Sequence, residues 1–515
     1  MYEKTIIALS YLSKWYVLLG SAVAVLALYR YITVQLIIRK HGCKDPIKFT
    51  QGGFLCIPII LELLRRMKTG EMIDEGFRLF NEYPDTTQYV NLFGVRVLLT
   101  GEPEVYKAVL ATQFNNFALG FRHSHFAPLL GDGIFTLDGE GWKNSRAMLR
   151  PQFARQQVSH VQMLEPHIQT LAKHIKARKG TTFDLQELFF RLTMDSATEF
   201  LFGESVRSLH DEVIGMQRPD IEGISNFSEA FNTSQRYLAV RAYSQVLYWL
   251  TNPKEFRDCN AKVQKVAQYF VNKALSFSDS ELEEKSKKGY IFLYELTKQT
   301  RDPKVLQDQL LNILIAGRDT TAGLLSFTFY ELARNPAIFE KLKAAIYADF
   351  GRGDVSEISF ESLKKCEYLK FVLNEALRLY PSVPVNFRVA TKDTVLPTGG
   401  GPDGQSPMFV RKYTTVAYGV YFTHRMKQFY GEDAEVFKPE RWAENRKLGW
   451  AYLPFNGGPR ICLGQQFALT EASYVVVRLI QMFPNIVSKD DGPYPPRKSV
   501  QLTMCLQDGV KIQMS

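Results

Sequence analysis

The stretch around Cys462 constrains the fold more than any other part of the sequence. Residues 455–464 read FNGGPRICLG, and the apolar, helix-like run 465–482 follows directly. This order predicts a tight loop that leads into a helix N-terminus, where backbone N–H groups and the helix dipole favour a thiolate over a thiol. The glycines would also allow a flat, bulky group to approach the backbone. Cys462 is therefore a candidate metal ligand or nucleophile, although a buried cysteine after a Gly-Pro turn would give the same pattern.

The fixed positions of this loop, Phe455, Gly458, Arg460, Cys462 and Gly464, resemble the haem-binding loop of the cytochrome P450 family, Phe-x-x-Gly-x-Arg-x-Cys-x-Gly. The resemblance implies a mainly α fold with a small β lobe, and a monooxygenase that uses O2 and two electrons from outside. It also implies non-covalent haem b as the cofactor, with the Cys462 thiolate as axial metal ligand and Phe455, Arg460 and Gly464 beside the haem.

A second stretch with unexpected polar residues lies within a helix predicted over 305–334. Its middle, residues 316–321, reads AGRDTT, although Gly, Asp and Thr are mediocre helix formers and a Thr hydroxyl can bond back to a preceding carbonyl. A distorted turn here would leave a groove for dioxygen and water. The same residues resemble a P450 box, which implies that Thr320 hydrogen-bonds the oxygen being activated and that Asp319 relays protons. Some relatives have Glu, esterified to the haem, where this chain has Ala316, so we expect non-covalent haem.

Further residues match P450 motifs in the right order. Trp142 and Arg146 lie four residues apart on one helix face, and the resemblance implies that both bind a haem propionate, as does Arg388.

A Glu-x-x-Arg pair lies on a helix that Pro381 ends. Alone, Glu375 and Arg378 would most often form a surface ion pair. The resemblance instead places them beneath the haem, bonded to an arginine at the position of Arg441.

The composition fits a large folded protein. Of 515 residues, 46% are hydrophobic, and 36 Phe, 25 Tyr and 5 Trp are ample for a large core. The six cysteines show no paired spacing, which argues against a disulfide framework or a zinc site and favours a cytosolic catalytic part. The net charge of +10 suits an acidic partner or anionic lipid, or reflects dispersed surface charge. Without a long Lys/Arg block we expect no nucleic-acid partner.

An apolar N-terminal segment predicts a single membrane-spanning helix. Residues 15–38 are long enough to cross a bilayer, and Lys and Arg are more frequent after this segment than before it. We therefore predict a short lumenal N-terminus (1–14), a transmembrane anchor (15–38), a hinge or linker (39–59) and a cytosolic catalytic domain (60–515). A cleavable signal peptide is the alternative, but no convincing cleavage site is visible.

Several apolar stretches are candidates for a substrate pocket. The sequence predicts a helix over 60–80, strands at 88–90 and 95–99, a long loop over 114–141 and an apolar lid over 224–250. Core packing explains the lid nearly as well. The side chains that we expect to line the pocket are Phe121, Phe126, Ile315, Val383, Val385 and Leu502.

Three longer stretches, which begin at Arg122, Ala376 and Phe455, narrow the resemblance. They look closely like the alkane-inducible P450s of hydrocarbon-assimilating yeasts, which hydroxylate the terminal carbon of n-alkanes and long-chain fatty acids. The glycine-rich residues 398–406 predict a turn between strands and no dinucleotide site, so electrons must come from a partner. We expect NADPH-cytochrome P450 reductase in the endoplasmic reticulum membrane, with cytochrome b5 as a further candidate. The basic residues proposed to face the reductase are Lys143, Arg150, Lys427 and Arg446.

Three other functions are compatible with parts of the sequence. The same chemistry could act on a sterol or a xenobiotic. A hydrolase could use Cys462 as nucleophile with His424 or another histidine as base, but this leaves the motifs at Asp319 and Glu375 unexplained. A membrane-anchored haem sensor or carrier would need Cys462 but would tolerate loss of the Thr320 hydroxyl.

Overall fold

Helices make up most of the computed structural model, which describes residues 2–49, 57–82, 87–92, 95–154, 161–217, 226–288, 290–444 and 446–515. The α-helices are α1 Tyr2–His41, α2 Ile57–Thr69, α3 Met72–Phe80, α4 Pro103–Lys107, α5 Arg122–Leu130, α6 Gly139–Leu149, α7 Glu165–Ala177, α8 Leu185–Phe202, α9 Phe227–Tyr243, α10 Lys254–Leu275, α11 Asp279–Lys288, α12 Phe292–Thr297, α13 Pro303–Arg334, α14 Pro336–Phe350, α15 Phe360–Lys365, α16 Glu367–Leu379, α17 Val420–Thr423, α18 Lys427–Tyr430 and α19 Gln465–Met482.

The strands form small sheets within the described ranges. They are β1 Ile47–Lys48, β2 Gln88–Leu92, β3 Val95–Thr100, β4 Phe117–Ala118, β5 Phe183–Asp184, β6 Asn386–Ala390, β7 Thr394–Gly400, β8 Ser406–Val410, β9 Thr415–Tyr418, β10 Ile486–Ser488, β11 Lys498–Val500, β12 Met504–Leu506 and β13 Lys511–Met514. The largest sheet has the order β1-β2-β3-β9-β6-β4, with the β1–β2 and β3–β9 pairs parallel. A second sheet has the order β10-β13-β5, while β7–β8 and β11–β12 are antiparallel hairpins. The predicted fold class, mainly α with a small β lobe, is confirmed.

Helix α13 runs through the centre of the protein and packs against α8, α10, α16 and α19. Its 32 residues span about 48 Å. Asp302 caps its N-terminus by accepting the backbone N–H groups of Lys304 at 2.8 Å and Val305 at 3.2 Å. It ends before Asn335, because a residue that precedes proline is disfavoured in a helix. The sequence predicted this helix to within two residues.

Two predicted segments differ from the structure. The helix expected over 60–80 is divided into α2 and α3 at Gly70, whose φ of +77° lets the N–H of Glu71 bond the carbonyl of Arg66 and close a helix C-terminus. The loop expected over 114–141 contains strand β4 and helix α5. Helix α5 is fixed from outside, because Arg241 on α9 donates to the carbonyls of Ser124 and His125 at 2.7 and 2.8 Å.

The N-terminal segments also have other bounds than the sequence suggested. Helix α1 is continuous over Tyr2–His41, and Lys14–His41 is long and apolar enough to cross a membrane. The expected linker 39–59 contains the end of α1, the start of α2 and strand β1, which pairs with β2 and so belongs to the main sheet. Met1 and residues 50–56 of these segments, and residues 224–225 of the expected lid, lie outside the described residues.

Candidate functional site

The loop before α19 is held in one shape by its backbone. Cys462 donates its N–H to the carbonyl of Phe455 at 3.0 Å, and a short 3-10 turn occupies Gly458–Arg460. Gly458 has a φ of +67°, and a Cβ there would lie 1.8 Å from the carbonyl oxygen of Leu110. Only glycine therefore fits this position without displacement. Helix α19 begins one residue after Gly464, as the sequence predicted.

Cys462 is exposed to solvent, yet the protein groups around its thiol are close enough to desolvate it. Burial raises its pKa, while the backbone N–H of Gly464 and the guanidinium of Arg146 favour the thiolate and partly oppose that effect. Arg146 also donates to the carbonyl of Ile461 at 3.0 Å. An accessible thiol with a cation and an N–H beside it fits a metal ligand.

One face of α13 is open in the middle of the helix. Between Leu306 and Ala333, all of which the structure describes, every residue is buried except Ala316, Gly317 and Thr320. A Cβ on Gly317 would meet nothing within 4 Å. The hydroxyl of Thr320 donates to the carbonyl of Ala316 at 2.7 Å, the back-bond that the sequence suggested, while the helix stays continuous.

Asp319 lies on a different side of α13 and is buried. Its Oδ1 accepts a hydrogen bond from the neighbouring Arg318 at 3.0 Å, and Arg318 also donates to Asn232 of α9. Burial raises the pKa of Asp319, although Arg318 and the Gln235 side chain oppose the shift. The sequence motif did not indicate that Arg318 would pair with Asp319.

The predicted pocket residues border this open face to different degrees. The Ser382 hydroxyl donates to the carbonyl of Thr320 at 3.3 Å, and the backbone carbonyl of Ser382 accepts the N–H of Met504 at 3.0 Å. These contacts bring the segment with Val383 and the β11–β12 hairpin with Leu502 beside the centre of α13. Ile315 is buried on α13, while Phe126 and Leu502 are half-buried against the same apolar cluster. Val383 is half-buried, and Val385 and Phe121 are exposed, Phe121 at the start of α5.

An arginine cluster lies between the Cys462 loop, α6 and β6. The guanidinium of Arg460 stacks 4.4 Å from the Trp142 ring and donates to Asp138 at 2.7 Å. Arg388 is buried, and its Nε has no hydrogen-bond partner among the described residues. The sequence reasoning missed Arg122, which donates to Asn386 at 2.7 Å.

The arginines of this cluster repel one another. Burial and the charge of Arg388 lower the pKa of Arg122 to about 9. Burial lowers the pKa of Arg460 to about 10, with the attraction of Asp138 opposing this shift and the charges of Arg388 and Arg146 adding to it. These arginines lower one another's pKa although Asp138 lies beside them. Their positive charge suits the binding of an additional anionic group, such as the propionates of a haem.

Glu375, Arg378 and Arg441 form a fully buried ion cluster. Glu375 Oε1 accepts hydrogen bonds from Arg378 Nη2 and Arg441 Nε, both at 2.8 Å. The other carboxylate oxygen accepts Arg378 Nε at 2.9 Å and Trp442 Nε1 at 3.0 Å. Arg378 also donates to the carbonyls of His424 and Ala434, so the cluster joins α16 to the segment that leads towards the Cys462 loop.

The sequence of residues 52–514 matches the family model for cytochrome P450. The chain belongs to the cytochrome P450 family. It is 64% identical over 511 residues to cytochrome P450 52A3-A of Candida maltosa and 61% identical over 515 residues to cytochrome P450 52A6 of Candida tropicalis, with 98% of each chain covered. The crystal structure of the cytochrome P450DA haem domain has the same fold, with a TM-score of 0.70 at 21% identity over 86% of this chain and 92% of that one.

Membership of this family makes the protein a haem-thiolate monooxygenase that receives electrons from a redox partner and acts on a lipophilic substrate. The site fits haem, because the accessible thiol, the glycine-rich loop and the surplus of arginine charge occur together. The geometry also argues against a hydrolase that uses His424 as its base. Both ring nitrogens of His424 are bonded to backbone, Nδ1 to the carbonyl of Arg378 at 3.0 Å and Nε2 to the N–H of Leu453 at 2.9 Å.

Proposed function

We propose that this P450 hydroxylates the terminal carbon of n-alkanes, long-chain fatty acids or both. The observation that carries the proposal is the near-full-length identity to yeast P450s of the 52A group, whose members resemble alkane-inducible enzymes. The apolar residues beside the open face of α13 support it, since Ile315, Val383 and Leu502 offer an alkyl chain no polar partner.

Residues of the Cys462 loop, α13, α6, β6 and α5 would hold the haem. Cys462 would supply the thiolate ligand of the haem, with Phe455 and Gly464 shaping its loop and Ala316 leaving room on α13. Trp142, Arg146, Arg388 and Arg460 would bind the propionates, and we add Arg122 to this set because its charge is coupled to that of Arg388. With Ala316 in place of a carboxylate, the haem would be bound without an ester link. Glu375, Arg378 and Arg441 would stabilise the segment that leads towards the Cys462 loop.

The protein would contribute proton transfer and the exclusion of water. When bound, the haem supplies activation of O2 and insertion of one oxygen atom into a C–H bond. The Thr320 hydroxyl faces the open side of α13 and would hold a proton at Oγ1. Asp319 is a buried acid whose pKa is raised by burial, so its carboxyl would accept a proton more readily than an exposed aspartate and pass it on.

Electrons would enter on the side of the Cys462 loop. Lys143 and Arg150 are exposed at either end of the α6 surface that carries Arg146, and Lys427 and Arg446 are exposed on the segment before the loop. These cations suit the acidic face of an NADPH-cytochrome P450 reductase, with cytochrome b5 as a second donor.

The apolar helix α1 fits a membrane anchor. We propose a single pass in the endoplasmic reticulum membrane with residues 1–14 lumenal, the span at 15–38 and the catalytic domain in the cytosol.

The proposal is tested on microsomes that contain the expressed chain. A reduced CO difference spectrum with the band of thiolate-ligated haem is expected, followed by a spin shift of the oxidised protein on addition of lauric acid or dodecane and terminal alcohols as products. Cys462→Ala should lose the band, whereas Cys259→Ala, a free cysteine on α10, should keep it. A thiolate band with products only from a sterol or a xenobiotic would refute the substrate class.

A further inference from the structure

The first half of α13 carries buried polar side chains that bond to residues outside the helix as well as within it, where Lys304 pairs with the Asp308 carboxylate and Asn312 donates to the Asp308 carbonyl. Asp308 is 2% exposed and Asn312 is 0% exposed. Asp308 Oδ2 accepts the backbone N–H of Asp132 at 2.9 Å. Asn312 accepts the N–H of Phe135 at 3.1 Å and donates to the carbonyl of Leu130 at 2.9 Å. These three hydrogen bonds, and a fourth from Gln309 Nε2 to the carbonyl of Asp132 at 3.5 Å, fasten residues 130–135, which begin at the last residue of α5, to this helix.

Two glycines allow this close contact. A Cβ on Gly131 would lie 2.2 Å from the Asp308 carboxylate, and a Cβ on Gly133 would lie 2.3 Å from Asn312 Nδ2. Any larger residue at either position would push the segment away from α13. The two acceptors, the donor and the two glycines thus form one interface, which we call the loop clamp.

The loop clamp lies one helical turn from the open face of α13. Asn312, Ala316 and Thr320 follow one another at intervals of four residues, so they share one side of the helix. Ile134 and Phe135, inside the clamped segment, are half-buried and pack against the apolar cluster that contains Ile315. Movement of the segment would therefore displace these two apolar side chains, which pack against the apolar cluster beside the open face of α13.

We propose that Asn312 and Asp308 are positioning residues that fix the wall formed by Ile134 and Phe135 and so decide which carbon of the alkyl chain is hydroxylated. The inference rests on the proposed terminal hydroxylation. Terminal attack requires a wall that keeps internal carbons away from the oxidising centre. Thr136 braces the segment internally, since its Oγ1 accepts the Gly133 N–H and donates to the Gly131 carbonyl, both at 2.8 Å, and the hydrogen bonds from α13 fix this braced segment against the helix.

The test compares Asn312→Leu with Thr328→Val. Leucine has nearly the shape of asparagine but leaves the Phe135 N–H and the Leu130 carbonyl unpaired. Thr328 is equally buried on α13, yet among the described residues its hydroxyl bonds only to the carbonyl of Leu324 in the same helix. Asn312→Leu should lower the ratio of terminal to subterminal alcohol from lauric acid about tenfold, equivalent to about 1.4 kcal/mol, with the thiolate CO band retained. Thr328→Val should keep the wild-type ratio.

A second pair of variants perturbs the loop clamp from the side of the loop instead of the side of the helix. Gly133→Ala should shift the ratio in the same direction, because its methyl group collides with Asn312. In an Asn312→Ala background the same change should have little further effect, since the space is then free.

Amide hydrogen exchange tests the clamp independently of catalysis. Exchange of residues 132–135 should accelerate at least tenfold in Asn312→Leu and stay unchanged in Thr328→Val. Unchanged exchange would overturn the loop clamp whatever the products are. Faster exchange with an unchanged product ratio would overturn its role in selecting the carbon. If the wild-type protein makes no terminal alcohol, the proposed function is overturned. The role of the loop clamp in selecting the carbon is then overturned with it, even if exchange is faster in Asn312→Leu.

Discussion

Gly458 is the position where a single methyl group should do most damage to the haem-binding loop. Its φ of +67° costs an alanine about 1–2 kcal/mol. The added Cβ would also lie 1.8 Å from the backbone oxygen of Leu110, so the loop and Leu110 must separate by about 1.5 Å to reach ordinary contact. Because both partners are backbone atoms, no side-chain rotation can relieve the collision.

Gly351 supplies a matched control for the backbone strain. It lies at the end of α14 with a φ of +68°, and a Cβ there would meet nothing within 4 Å. Its ψ of −169° lies in a region that almost only glycine adopts, so Gly351→Ala should lose about 1–3 kcal/mol of stability and keep its thiolate CO band. Gly458→Ala should lose more stability than this control, and a displacement of over 1 Å at Cys462 should lower turnover roughly 100-fold.

The assay combines a thermal midpoint in detergent with the CO difference spectrum per mole of protein. A smaller thiolate band in Gly458→Ala than in Gly351→Ala is the expected result. Equal midpoints, bands and turnover in the two variants would refute the argument that close approach to Leu110 fixes the Cys462 loop.

Three other side chains give measurable expectations. Glu375→Gln should destabilise the protein by about 3–5 kcal/mol, because it leaves the Arg378 guanidinium buried without a counter-charge and Arg441 with Asp433 alone, and the thermal midpoint should show this. Thr320→Val should lower the yield of hydroxylated product per NADPH roughly 100-fold and release peroxide instead, since the proton held at Oγ1 is lost. Burial raises the pKa of Glu331 to about 7, so the folded state binds its proton more tightly than the unfolded state and stability should fall by about 3 kcal/mol as pH rises from about 4.5 to about 7. Glu331→Gln should remove that part of the slope.

Each expectation has an outcome that contradicts it. A Glu375→Gln variant as stable as wild type would mean that the guanidiniums find other partners. Full coupling of NADPH oxidation to product in Thr320→Val would remove the hydroxyl from proton transfer. An unchanged pH slope of the unfolding free energy in Glu331→Gln would show that this carboxyl titrates normally.

Local patterns in the sequence predicted the parts of the site that lie close together along the chain. The loop at Cys462, the bounds of α19 and the back-bond of Thr320 all depend on residues within a few positions of one another. Helix α5 was not foreseen, because Pro128 within it and the glycines around it are typical of a loop. Its existence depends on Arg241, more than a hundred residues further along the chain.

The long-range polar contacts could not be predicted in the same way. Asp308 and Asn312 look like ordinary polar residues of a helix, and their partners lie 176 and 182 residues earlier. Arg122 gave no signal beyond a cation in an aromatic-rich stretch, since its coupling to Arg388 arises only when α5 and β6 meet. Periodicity reports which face of a helix is buried but not which group it meets there.

The join between α1 and the main sheet affects how substrate reaches this enzyme. Residues 42–46 separate the two, and a free chain of that length would reach about 17 Å. Here Lys44 donates its N–H to the carbonyl of Pro407 at 2.9 Å, and Asp45 accepts the N–H of Gly401 at 3.0 Å. Once α1 lies in a bilayer, the catalytic body is held on a short, fastened tether and cannot drift from the lipid surface. Supply of a water-insoluble alkane then becomes a two-dimensional problem, set by its density in the membrane and its lateral diffusion rather than by its solubility in the cytosol.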